Sequence, residues 1–246
     1  MIKFFRKIRQ KFLSENKLSK YLLYAFGEIV LVVIGILIAL QVNKMSDQDT
    51  LLKKEIVYLK EIEKSLSFDL ENEIIGAIDY TNKQNKMYNL YKSLVSKYPD
   101  SISKDSIYTL IKKWVGPPWQ LEINMVVFDN LNSLGIDLIS NHELRNEISQ
   151  VYGNLIPRAV HHNKAHENWN FQNLYPILND NFIYYENTLT NDQIVYLKTD
   201  ILTINQLHIH ANHFVSGYIW RLNVLKEKVE PLLGNLRKEI DHLESL

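Results

Sequence analysis

Six of the eight histidines fall in two short runs, HHNKAH at residues 161–166 and HIHANH at residues 208–213. Imidazole titrates near neutral pH and is the commonest protein metal ligand, so paired histidines are the first place to look for chemistry. At about 100° per residue on a helix, His162 and His166 lie about 40° apart and His210 and His213 about 60° apart. Each run therefore offers one pair on one face. On antiparallel neighbouring helices the four imidazoles could converge on a first-row metal (zinc, copper or nickel) or a haem, with Glu167 as an oxygen ligand or as a hydrogen-bond partner of one. The competing arrangement, and the default for such spacing, has the same rings packing with Trp169 and hydrogen-bonding across a polar helix interface. His-x-x-x-His with no Glu beside the first His is not the metalloprotease pattern.

Other chemistry finds no template. The chain has no G-x-S-x-G, no P-loop, no H-E-x-x-H and no dinucleotide glycine pattern, so no catalytic residues are assigned and an enzyme is not expected. The absence of Cys excludes disulfides, thiolate zinc sites and a Cys nucleophile. Carboxylate pairs such as Asp69 with Glu73, or Glu61 with Glu63, sit on a charge-rich helix and read as a solvated face. The fourteen tyrosines suit either a ligand pocket between helices or a tyrosine-rich core.

The elements that must position these residues read as helices throughout. Two start signals stand out: Ser140 with Glu143 as a capping box stapled by Ile139 and Leu144, and Thr190 with Gln193 stapled by Leu189 and Ile194. The first leads through Leu144, Ile148, Val151 and Tyr152 to Gly153, and helical spacing resumes past Pro157 as far as Trp169. The second opens a long helix carrying Leu197, Ile201, Ile204, Ala211, Val215, Tyr218, Leu222 and Leu225, which Pro231 and Gly234 should kink or break ahead of a polar C-terminal helix. Upstream, a helix over about 105–115 ends at Gly116-Pro117-Pro118, with Trp114 and Trp119 stapling the turn to the core. Leu121, Met125, Phe128, Leu131 and Leu134 then continue at helical spacing to Gly135. No alternating strand run and no internal repeat is evident. The expectation is an all-α protein with four or five principal helices around one core.

One stretch dominates the first part of the chain. Residues 21–42, YLLYAFGEIVLVVIGILIALQV, are long enough to cross a bilayer at about 1.5 Å per residue, and every residue from Ile29 to Leu40 is apolar or Gly. Seven basic residues precede the span (Lys3, Arg6, Lys7, Arg9, Lys11, Lys17, Lys20), against Lys44, Lys53 and Lys54 just after it. Lys and Arg resist translocation, so the N-terminus is expected in the cytoplasm and residues 43–246 in the periplasm of a bacterial inner-membrane protein. A cleaved signal peptide would have a shorter apolar region and a small-x-small site, which Ala39-Leu40-Gln41 does not supply. Residues 1–20 read as a basic amphipathic segment, with Phe4, Phe5, Ile8 and Phe12 on one side, suited to a bilayer surface or simply fixing topology.

Within the span, Glu28 is costly against lipid unless protonated, snorkelling or paired. Gly27, Gly35 and Ala39 lie on the Glu28 side at multiples of four, where a second helix could approach closely, pointing to a homo-oligomer or a membrane-protein partner. No Gly or Pro interrupts residues 36–75, so the transmembrane helix should continue outward. There Leu52, Ile56, Leu59, Leu66 and Leu70 approach coiled-coil heptads, but Glu63 breaks the series and a bundle helix fits better; Pro99 and Asp100 should stop it. Residues 1–42 carry seven basic and two acidic groups, which leaves the remainder at a net charge of −5. That balance does not suit nucleic acid.

The opening MIKFFRKIRQKFLSENKLSKYLLYAFGEIVLVVIGILIALQVN closely resembles the start of a membrane-anchored family of Bacteroidota known as a domain of unknown function (family 6090). Phe128-Asp129-Asn130-Leu131-Asn132-Ser133-Leu134-Gly135, Leu138-Ile139-Ser140 and Glu143-Leu144-Arg145 are similar to that family's middle motif. Members often carry Asn-Asn-Trp after the span; this chain has Asn43-Lys44-Met45, so no role of that Trp carries over. The resemblance implies an inner-membrane anchor and a helical outer domain, and no activity. The functional expectation is an interaction or ligand-sensing module, with a histidine-based metal- or haem-binding protein and a structural assembly factor as the alternatives.

Overall fold

The computed structural model describes residues 18–98, 104–182 and 188–246. The expected basic amphipathic segment, with its Phe4, Phe5, Ile8 and Phe12, lies outside the described residues apart from its last three positions, as does the Pro99-Asp100 stop. The chain divides into two compact units, Met1–Lys54 and Glu55–Leu246. Every regular element among the described residues is helical, which establishes the all-α class.

Helix α1, Leu18–Asp69, is unbroken. It contains an 18-residue window of mean hydropathy 2.5 with none of its residues buried, and the helix is long and apolar enough to cross a membrane. From Ile29 to Leu40 the side chains stand exposed, Leu31 at 70%.

The Glu55–Leu246 unit is a helical bundle. Leu59, Ile62, Leu66, Leu70 and Ile74 are all buried, a stripe that keeps a three-or-four spacing because it passes through Ile62 and not Glu63. Glu63 turns outward to pair with Arg237 at 2.7 Å. Helix α2 is Ile75–Lys97, α3 Lys104–Trp114, α4 Val126–Leu134, α5 His142–Gln150, α6 Ile156–Trp169, α7 Tyr175–Asn181, α8 Asn191–Thr199, α9 Ile201–Ile209 and α10 Ser216–Glu244. Four π-helical turns, Leu70–Ile74, Val151–Leu155, Asn170–Leu174 and His210–Val215, join α1 to α2, α5 to α6, α6 to α7 and α9 to α10 without ending the rod. Among its described residues the Glu55–Leu246 unit thus contains three long helical runs, over 55–97, 142–181 and 201–244, with α3, α4 and α8 packed among them, in place of four or five principal helices. Helix α10 packs along α2, α5 and α6, and α3 lies against α2.

Several local expectations need correction. The cap of α5 is Asn141, whose Oδ1 accepts from the N–H groups of Glu143 and Leu144 at 3.1 Å. Ser140 is committed elsewhere, its N–H and Oγ donating to the buried carboxylate of Glu55 at 2.7 and 2.9 Å. The Thr190–Gln193 capping box forms as expected, with Leu189 and Ile194 buried. Its helix stops early, because Asp200 leaves helical geometry (ψ 108°) and caps the next helix by accepting from the Thr203 N–H at 2.8 Å. Residues 121–125 are not helical: Asp69 accepts from the Asn124 N–H and Glu73 from the Glu122 N–H at 3.2 Å each, replacing bonds a helix would have made. Pro231 does not break α10. Val229, Leu232, Leu233, Leu236 and Ile240 keep one stripe buried across it, and at about 1.5–3 kcal/mol per large apolar side chain they outweigh the roughly 3 kcal/mol a helical Pro costs.

Candidate functional site

Helix α6 and the π turn His210–Val215 face each other, and three of the four predicted histidine ligands meet in or beside that seam. A π turn adds a residue to the helical circuit, so side chains beyond it swing to a new bearing, and such turns recur at functional sites. Here the turn places His210 and Phe214 inward and leaves His213 exposed. His166 and His210 are fully buried, with His166 Nε2 3.2 Å from His210 Nδ1. His210 Nε2 lies 3.3 Å from the Trp114 carbonyl and Nδ1 lies 2.9 Å from Asn170 Oδ1. A neutral ring carries one proton, so His210 donates either to the Trp114 carbonyl through Nε2 or to Asn170 Oδ1 through Nδ1, and only in the first case can Nδ1 accept from a His166 N–H.

Burial is what sets the titration of these rings. Desolvation pushes His166 down to about 2, helped by the neighbouring His210 and His162, and pushes His210 down to about 4 against the opposing Trp114 carbonyl. Both are neutral at physiological pH. Their faces are packed by aromatic rings: His166 stacks on Phe214 with centroids 5.2 Å apart, and Trp114 and Trp169 lie 5.3 and 6.2 Å from His210. Neither nitrogen pair is open to solvent, so the pair serves cohesion of the core more readily than proton exchange with a substrate. Among the described residues no group of three or more His, Asp or Glu side chains is arranged to hold a metal ion.

His162 occupies a different position. It is buried, with Nε2 3.0 Å from the Phe214 carbonyl and its ring stacked on Tyr218 at 5.8 Å, and it forms part of the floor of a surface cleft of about 630 Å³. His213 stands 6.2 Å from it, edge to face, on the cleft wall. Two π turns contribute to this cleft, Val151–Leu155 through Gly153, Asn154 and Leu155, and His210–Val215 through His213 and Phe214. The predicted quartet is therefore split between a sealed His166–His210 pair and a cleft-lining His162–His213 pair. Sequence reasoning missed Arg158, Trp220 and Arg221, which share the cleft with His161. Their signal was present: Arg158, His161 and His162 run at i, i+3, i+4, and His213, Trp220 and Arg221 at i, i+7, i+8.

A second polar cluster was read as solvated and is not. Asp69 is 1% exposed, and burial, with Glu73 adding like charge, pushes it up to about 6 against the opposing Asn124 N–H. Glu73 also accepts from the Trp119 indole N–H at 3.3 Å. Together the two carboxylates tie the 119–124 strap to the first rod, and Trp119 packs over Gly76, where a Cβ would sit 3.1 Å from the ring.

In the Met1–Lys54 unit, Gly27, Gly35 and Ala39 are exposed, and a Cβ built at either glycine would meet nothing within 4 Å. Glu28 is half-buried. Comparison of the chain with family models, with curated proteins and with solved structures finds no match.

Proposed function

We propose that this chain is a single-pass inner-membrane protein, N-terminus in the cytoplasm, whose Glu55–Leu246 bundle works in the periplasm as an interaction or ligand-sensing module, by binding and not by catalysis. The observation that carries the reading is the unburied apolar window of α1. The apolar or Gly positions from Ile29 to Leu40, none of them buried, need a non-aqueous solvent, at roughly 25 cal/mol for each Å² otherwise left in water. The charge asymmetry of the flanks supports the orientation. The resemblance of residues 1–43 to the membrane-anchored family supports the same placement. The exposed Gly27, Gly35 and Ala39 edge beside Glu28 supports a second helix, from another copy or a membrane partner, as the recipient of the bound state.

Fractionation is the test. The protein should stay with membranes through salt and alkaline washing, a C-terminal tag should be reached by protease from the periplasmic side, and mild-detergent purification should retain a second copy or a companion. Release into the wash or an intracellular tag overturns the placement, and a lone, companionless monomer overturns the interaction reading.

A further inference from the structure

The cleft between α6 and the start of α10 has an unusual electrostatic composition. Residues 43–246 are net acidic, yet none of the residues lining the cleft is Asp or Glu, while Arg158, His161, His162, His213 and Arg221 all are part of it. Of the four arginines among the described residues, Arg145 pairs with Asp137 and Arg237 with Glu63. The two with no carboxylate of the described residues within ion-pair distance, Arg158 and Arg221, are the two in this cleft. Arg221 gives one N–H to the Gly217 carbonyl at 3.0 Å, which fixes the guanidinium and leaves its other donors to be used. Beside it Trp220 is 63% exposed, an uncommon setting for so large an apolar ring, and the Arg221 guanidinium sits 5.7 Å from its centre.

We propose that this cleft binds a small organic oxyanion, a carboxylate or a phosphate ester carrying a flat or apolar group, with Arg158 and Arg221 on the oxyanion and Trp220 covering the apolar part. Guanidinium supplies the paired donors that carboxylate and phosphate accept bidentately, and the exposed Arg158 and half-buried Arg221 have no carboxylate partner among the described residues that an incoming anion would have to displace. The volume, about 630 Å³, is in the range of small-molecule sites. Burial, opposed by the Phe214 carbonyl and helped by Arg221, His213 and His161, holds His162 below its ordinary pKa, so the fixed charges of the cleft are the two guanidinium groups. This inference deepens the ligand-sensing reading and rests on it.

The full chain in detergent micelles is titrated with phenyl phosphate, benzoate and inorganic phosphate, followed by tryptophan emission and by calorimetry. Phenyl phosphate or benzoate should bind saturably below roughly 10 mM, more tightly than inorganic phosphate, and the better of the two identifies the oxyanion. Arg158→Gln and Arg221→Gln should each weaken binding about tenfold or more, as expected for loss of a charge-assisted pair. Trp220→Ala should remove the preference for the ring-bearing ligand. Urea melts of the variants establish that they are folded. No saturable binding of any of the three probes, or binding that both arginine variants leave unchanged, overturns the proposal. A companion still retained in mild detergent would then leave the broader interaction reading standing.

Discussion

Acid should loosen the bundle, and the buried histidines fix by how much. His166 and His210 are held at about 2 and about 4, against 6.5 for an exposed ring. The unfolded chain therefore binds more protons than the fold at every pH between 6.5 and those values. By linkage the stability they confer is complete above 6.5 and is lost as pH falls. At about 1.36 kcal/mol per pH unit per group, lowering the pH from about 7 to about 4.5 removes on the order of 2–3 kcal/mol for each ring, or about 5 in all. Asp69 acts with the opposite sign. Raised to about 6 from 3.8, it binds its proton in the fold first, and through that window protonation returns about 2 kcal/mol. The net loss is about 3 kcal/mol, to which His162, also held down by burial, adds in the same direction. With urea slopes of about 1–3 kcal/mol per M, the unfolding midpoint should fall by roughly 1–3 M. All four tryptophans, Trp114, Trp119, Trp169 and Trp220, lie in the Glu55–Leu246 unit, so emission of the full chain in detergent follows that unit alone. The discriminating measurement is the slope of stability against pH in the native chain and in a His166→Leu/His210→Gln double variant, which should be flat or inverted in the variant whatever its absolute stability. A native midpoint that holds steady or rises on acidification would refute the assignment of neutral, desolvated imidazoles.

Three further outcomes follow from single contacts. Asp69→Asn keeps an oxygen for the Asn124 N–H and removes the buried charge, so it should raise stability at pH 7 by up to about 3 kcal/mol and have little effect near pH 4; a loss at pH 7 would mean the ionised carboxylate is what grips the strap. Tyr152→Phe deletes a buried hydroxyl with no hydrogen-bond partner while keeping the ring stacked on Phe128 at 4.9 Å. Its melt should be unchanged or up to about 1 kcal/mol more stable, and a fall beyond about 1 kcal/mol would show that the hydroxyl is bonded. Thr190→Ala removes the side-chain acceptor of the α8 capping box and should cost about 1 kcal/mol in urea unfolding, whereas no change would show that Leu189 and Ile194 hold that terminus alone.

What the sequence made legible, and what it hid, divides along one physical line. Properties set by a residue and its near neighbours in the chain could be read: the apolar window of α1, the Thr190 cap, the stop after Trp114 and the helical class. Properties that depend on which chain segment arrives opposite could not. Ser140 and Asn141 are both competent caps, and only the arrival of Glu55, 85 residues earlier, removes Ser140 from the contest. Asp69 and Glu73 look solvated at i, i+4 until the 119–124 strap folds over them. Pro231 reads as a breaker by local chemistry and is overruled by the stripe it interrupts.

The π turns are the deeper reason that the histidine site was half right. Pairing His210 with His213 assumed about 100° per residue, under which both rings share a face. The turn His210–Val215 winds more slowly, at about 4.4 residues per circuit if each N–H reaches back five residues, so a three-residue step covers about 245° instead of 300°. His210 is thereby committed to the core and His213 to the surface. The same change of winding carries Phe214 between His166 and His162, where it stacks on one ring and offers its carbonyl to the other. A quartet poised around one point is thus converted into a sealed pair on one side of Phe214 and an open, positively charged cleft on the other. Straightening that turn, for instance by deleting Asn212, should return His213 toward the seam, seal the cleft and abolish oxyanion binding, while a deletion that left phenyl phosphate affinity intact would show that the cleft does not depend on the π geometry.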